Sequence, residues 1–464
     1  MILALAMTAA VVTGDHVALR ATAARTSGQQ AVLWKGDWLE VRGAKKGWLK
    51  VYDHRHERAG WIAAKNVKQI ELVEASAPAV RAIVDFVRDT PGQESLGIAY
   101  AAIYLKVAPK GSIDASLMIS LGAMADRLAR RASGTGGDAA AAEQLEVARS
   151  WGIGIASVEQ LDGSRICYDG SAFHAGLALA PSPVDTATAV LGLTEPGCEP
   201  MGMGATQRVA RDEARLGLLE RVDPTRVGGP LGNQLRIRRA EIAAQLAWAD
   251  ARRGDLPAAA LHAEAAVTAF ARVDREELAE DDEPAFASAA LAVAASRWAA
   301  MPVTTIPGLA LALEDGGPGE TCIRVIPTKG TASIAKCTHG QVWSASLRAS
   351  KDRSAAVIAV EPLPGWLELW MFRRGADGGW MVDVIPPNTD GPDRGYVELA
   401  GWSPDGKQAI LVRESRTGRT VRKSYEAIVL GTLAVDRQAS TLAGLGTAKR
   451  WAAPEWKART LALR

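Results

Sequence analysis

A chain of 464 residues is too long for one hydrophobic core and divides into roughly two to four domains. Charged residues make up 23% and the hydrophobic set 48%, which excludes a disordered chain, and no apolar run reaches the ~18 residues of a membrane span. A formal net charge of +2 excludes a strongly basic nucleic-acid binder.

The first residues carry an apolar block from Ile2 to Val12 with no acid or base before Asp15. Residues 1–14 resemble a secretory signal peptide, with cleavage points near Ala10 and Gly14, although the usual positive start is missing. The same block also reads as a buried first strand.

From Val17 to Ala63, five short strands are expected at Val17–Ala21, Gln30–Trp34, Trp38–Arg42, Trp48–Asp53 and Ala59–Ala63. Gly36, Gly43, Gly47 and the polar run Asp53–Arg58 separate them, and five such strands in so short a segment imply a small β-barrel over 15–71. The order Val17-Ala-Leu-Arg20, Lys35-Gly-Asp37, Gly47-Trp-Leu-Lys-Val51, Gly60-Trp-Ile62 and Lys65-Asn-Val67 resembles the bacterial SH3 family. That resemblance covers about an eighth of the chain. It implies an accessory module that holds peptidoglycan or a peptide in an aromatic groove, with Trp48 and Trp61 as packing residues. Trp34 and Trp38 then stand out as an exposed aromatic pair flanking Lys35, and core packing is the other reading for each. Eleven Lys or Arg face six Asp or Glu between Asp15 and Glu71, so the segment is basic, and Lys35, Lys45 and Lys46 join the two indoles as the expected ligand-binding set.

After Pro78 the periodicity turns helical, and 75–302 is expected to be an all-α array. Its first helix stops before Pro91, a second covers Glu94–Ala108, Ser112 opens a third, and Asp138 caps a fourth reaching Trp151. Later helices are expected at Gly170–Ala180, Val184–Gly192, Ala205–Val222, Leu231–Arg253, Pro257–Val273 and Glu283–Met301. The pair around Arg253-Gly-Asp255 has the small residues and turn of a tetratricopeptide-type hairpin, but one copy does not make a solenoid. The acidic stretch Arg275–Glu283 reads as a solvated loop or a calcium site.

Beyond Pro302, strands return as an antiparallel β domain over 303–464. Strands at Leu309–Glu314, Cys322–Pro327 and Ser333–Cys337 precede two propeller-blade-like meanders. The first runs Val342–Leu347, Ala356–Val360, Trp366–Phe372 and Trp380–Ile385. The second runs Val397–Gly401, Ala409–Arg413, Tyr425–Leu430 and Thr432–Asp436, with a blade-like turn at Trp402-Ser-Pro-Asp-Gly-Lys407. Two meanders fall short of a closed ring, so a sandwich or partial propeller is expected.

Four cysteines lie in two sequence-local pairs, and the disulfides Cys167–Cys198 and Cys322–Cys337 are expected, although sequence allows three pairings. Their spacing is too wide for a four-thiolate zinc site. Cys167 with His174 is the one local pairing that suits a thiolate nucleophile, and His54-Arg-His56 lacks a third ligand. No G-x-S-x-G, H-E-x-x-H or P-loop is present. No catalytic set, cofactor or metal is therefore expected. The chain reads as a non-enzymatic envelope protein, periplasmic or secreted, whose partner is peptidoglycan or a peptide of an envelope protein. A cell-wall hydrolase with a divergent helical catalytic unit is the competing reading, and a barrel that only caps the helices is the third.

Overall fold

The computed structural model describes residues 8–133, 138–160, 163–200, 202–303, 305–307, 309–327, 334–375, 378–388, 394–417 and 420–459. The chain forms two units, Met1–Gln207 with Leu218–Val227, and Arg208–Gly217 with Gly228–Arg464. The helical stretch 75–302 is thereby shared between them.

The first unit begins with β1 (Thr8–Val12), β2 (Val17–Arg20), β3 (Gln29–Leu33), β4 (Trp38–Lys45), β5 (Trp48–Asp53), β6 (Arg58–Ala63) and β7 (Val67–Glu71). They make one seven-stranded antiparallel sheet in the order β3-β2-β6-β5-β4-β1-β7. Alternating residues Val17 and Leu19, Leu49 and Val51, and Ile62 point to one buried side, joined by Ala10, Val12, Leu33 and Leu39. All five expected strands are present. The leader reading is corrected from Thr8 onward: Ala9, Ala10, Val11 and Val12 are at most 2% exposed, and β1 hydrogen-bonds β4 on one side and β7 on the other. Cleavage at Ala10 or Gly14 would cut away or split a strand inside the sheet. The residues before Thr8 lie outside the described residues.

Four helices follow: α1 (Ala77–Val87), α2 (Glu94–Val107), α3 (Ala115–Ala132) and α4 (Ala139–Ser150). Asp114 rather than Ser112 opens α3, accepting a hydrogen bond from Leu117 N at 2.8 Å, and Asp138 caps α4 through Ala140 N at 3.0 Å. The sequence of α2 is apolar on every side because it packs against α1, α3, α4 and β1 at once. Val11 of β1 and Ile70 of β7 belong to the same core as Val80, Ile98, Leu117 and Leu145. The expected all-α character is broken next by a hairpin, β8 (Ile155–Gln160) and β9 (Gly163–Tyr168). Helices α5 (Ser171–Leu177), α6 (Pro183–Leu193) and α7 (Ala205–Glu220) complete the series. A disulfide joins Cys167 in β9 to Cys198 beyond α6.

In the second unit, α8 (Gly229–Arg252) and α9 (Leu256–Ala271) form the expected hairpin, turned at Arg253-Gly254-Asp255, with Asp255 capping α9 through Ala258 N at 3.1 Å. Ala240, Ala243, Ala244 and Ala266 let the two helices approach closely, and Ala292 and Val293 of α10 (Glu283–Ser296) close the same cluster. Strands β10 (Leu309–Gly317), β11 (Glu320–Pro327) and β12 (Ala335–Thr338) make a small sheet in which Cys322 sits opposite Cys337, and the two are disulfide-bonded. The larger sheet contains β13 (Gln341–Ala349), β14 (Ala355–Leu363), β15 (Trp366–Arg374), β16 (Trp380–Ile385), β17 (Arg394–Trp402), β18 (Gln408–Thr417), β19 (Thr420–Val429) and β20 (Val435–Ala439), and α11 (Pro454–Arg459) follows it.

The two expected meanders are parts of one eight-stranded sheet, and the expected purely antiparallel pairing is corrected at their junction. There β15 pairs in parallel with β17 at Trp366↔Gly395 and Leu367↔Tyr396, while the rest of β15 pairs antiparallel with β16. The halves nevertheless share a turn. In Ser350–Ala355 and in Ser403–Gln408 the serine hydroxyl bonds the aspartate two residues on, at 2.7 and 2.6 Å, and accepts from the sixth residue's N–H, at 3.0 and 2.8 Å. The fourth residue is left-handed in both, Arg353 at φ 58° and Gly406 at φ 70°.

Candidate functional site

The expected ligand-binding residues fall into three places. Trp34 ends β3, is 9% exposed, and lies 4.2 Å from the His16 ring. Its N–H donates to buried Asp37 at 2.8 Å, which also accepts from Arg55 at 2.8 Å. Burial raises the Asp37 carboxyl above its ordinary range, and Arg55 opposes that shift. Lys35 Nζ donates to Gly92 O at 3.0 Å and approaches Asp15 at 3.7 Å, while Lys35 O accepts from Ser95 Oγ at 2.6 Å. The next carbonyl, Gly36 O, accepts from the Trp151 indole N–H at 3.0 Å, and Gln144 reaches Asp15 at 2.9 Å.

The Lys35-Gly36-Asp37 turn is thus a seam between the sheet and helices α2 and α4. Glycine is required there: Gly36 has φ 92°, and a Cβ on it would stand 2.6 Å from Ser95 O. The expectation of an exposed Trp34 and Lys35 is corrected by these contacts, which bury the indole and tie down the ammonium.

Trp38 is different. It opens β4 half-buried, and its ring stacks on exposed His54 at 4.7 Å with a 13° interplanar angle. Tyr52 meets the other side of the row edge-on to His54 at 4.9 Å, under the Arg42 guanidinium at 4.2 Å. On the helical side, half-buried Trp151 lies 6.0 Å from Trp38, and exposed Lys106 places its ammonium 5.5 Å from the Trp38 ring and 5.2 Å from the Trp151 ring. Glu40 accepts from Arg42 and pairs with His54 at 3.0 Å, and these two partners, Arg42 first, lower its pKa. The result is a continuous row of four partly exposed rings with cations above it. Trp151 and Lys106 were not visible as site residues in the sequence, because they lie about 110 and 70 positions from β4 and only the seam brings them there.

Lys45 and Lys46 are exposed at the β4–β5 turn, with Lys50 exposed beyond it. Seven residues of extended strand separate Lys45 from Trp38, roughly 23 Å, so the structure does not gather the five expected residues into one site.

The other candidates have been taken up elsewhere. All four cysteines are in disulfides, so Cys167 holds no thiolate for His174 to activate. Glu320 lies beside Cys322 and Cys337, whose sulfurs are bound to each other. His54 and His56 engage different carboxylates, Glu40 and Asp53. In the acidic stretch, Asp282 accepts from Gln234 at 3.0 Å and Arg275 covers the Phe286 ring at 4.8 Å. No helix among the described residues is long and apolar enough to cross a membrane. The chain matches no family model, no curated protein and no solved structure.

Proposed function

We propose that the protein is a non-enzymatic binding protein of the cell envelope, periplasmic or secreted, whose N-terminal sheet resembles a bacterial SH3 module and holds a peptidoglycan-derived ligand. The observation that carries this reading is the row Trp38, His54, Tyr52 and Trp151 with Lys106 above it. Rigid rings give contact area at low entropic cost, and the cations suit the carboxylates of a peptide stem. The two disulfides support an oxidising compartment. If a leader is removed on export, its cleavage point precedes Thr8, because β1 is part of the sheet.

The test is co-sedimentation of the full chain with insoluble peptidoglycan. Salt-sensitive retention is expected, with marked loss for Trp38→Ala and for the exposed-site variant Lys106→Glu, and no clearing on a peptidoglycan zymogram. Retention indifferent to both substitutions contradicts the binding row, and a clearing zone favours the hydrolase reading. A second reading, that the sheet serves as a structural part of the helical unit, is favoured by the core that Val11 and Ile70 share with α1–α4. It predicts a stability loss on removing the sheet and no binding by the intact chain.

A further inference from the structure

The second unit contains a cavity of about 280 Å³ between the larger sheet, the segment that ends α10 and the segment around α11. Trp298, Trp402, Trp451 and Trp456 line it, with Arg348 and Glu455. A buried ion pair, Arg297 with Glu398, forms part of its wall, and Glu398 also accepts from Trp456 Nε1 at 2.8 Å. Three buried donors on this wall, Trp298 Nε1, Trp402 Nε1 and Arg297 Nε, have no hydrogen-bond partner among the described residues.

Buried unpaired donors are costly, and native proteins keep few of them. Three around one cavity call for a ligand that supplies acceptors. The charges there cancel, two arginines against two glutamates, so the cavity offers no net attraction to an anion. Indole faces suit the C–H faces of a ring, and indole N–H groups suit its oxygens. The volume matches about nine waters at ~30 Å³ each, the scale of a single sugar ring.

We propose that this cavity is a binding site for a neutral saccharide, with Trp298 and Trp402 donating to its hydroxyl or ring oxygens and the remaining indoles packing on its faces. The site is separate from the row at Trp38 and does not depend on it.

The experiment is isothermal titration calorimetry of the full chain with N-acetylglucosamine, glucose and glucuronate, alongside Trp402→Phe and Trp298→Phe, which delete an N–H and keep an aromatic ring. Saturable binding of at least one neutral sugar is expected, weakened about tenfold in either variant while melting temperature holds or rises, because each substitution removes an unpaired donor. Trp38→Ala should leave this binding unchanged. Absence of saturable binding by either neutral sugar at roughly 10 mM ligand, binding of glucuronate alone, or wild-type affinity in both phenylalanine variants overturns the proposal.

Discussion

Gly36 decides how closely the sheet and α2 meet. With φ 92° and Ser95 O only 2.6 Å from where a Cβ would stand, Gly36→Ala combines backbone strain with a clash at the seam. It should cost about 2 kcal/mol or more by denaturant titration. A second residue-scale case is Glu361, fully buried in β14, which accepts from Gly365 N at 2.7 Å and from Trp343 Nε1 at 2.9 Å. Burial outweighs those bonds and pushes its carboxyl from 4.5 up to about 8. The folded state therefore holds a proton that the unfolded state has released between those values, so this group's contribution to stability falls as pH rises from 4.5 to 8. Measured melts should show wild type losing stability relative to Glu361→Gln across that window, and parallel pH profiles would contradict the assignment.

At the scale of elements, what could be read in advance depended on how local the signal was. Asp138 and Asp255 announce helix starts because a cap needs only the next three residues, and both cap as expected. Strand β16 was legible to the residue from its alternation and flanking prolines. By contrast, Thr8–Val12 shows only an apolar block, and a leader and a buried strand look alike until β4 and β7 are seen beside it. The β8–β9 hairpin was missed because Ile155–Gln160 is short and polar and lies within a helical series. Disulfides were legible from spacing and count alone. The β11–β12 bridge closes 15 residues of chain, and the double substitution Cys322→Ser with Cys337→Ser should lower stability by about 3 kcal/mol. An unchanged denaturation midpoint would contradict that role.

For the whole molecule, the binding row had only one of its members, Trp38, legible as a site residue. Trp34 and Lys35 flank the same turn, yet seam contacts with α2 and α4 remove them from solvent, and no sequence spacing reports which side of a module its neighbour will cover. Because β1 lies within the sheet, a chain beginning at residue 15 should lose the first unit's cooperative unfolding, whereas one beginning at Thr8 should keep it. The central claim is that Trp38 and Trp151 together meet a peptidoglycan-derived ligand. Its most direct measurement is titration of a soluble muropeptide while following the indole ¹⁵N–¹H resonances. The signals of Trp38 and Trp151 should shift along one saturating curve that Lys106→Glu displaces to higher ligand. Unmoved signals from both indoles throughout the titration would contradict the account.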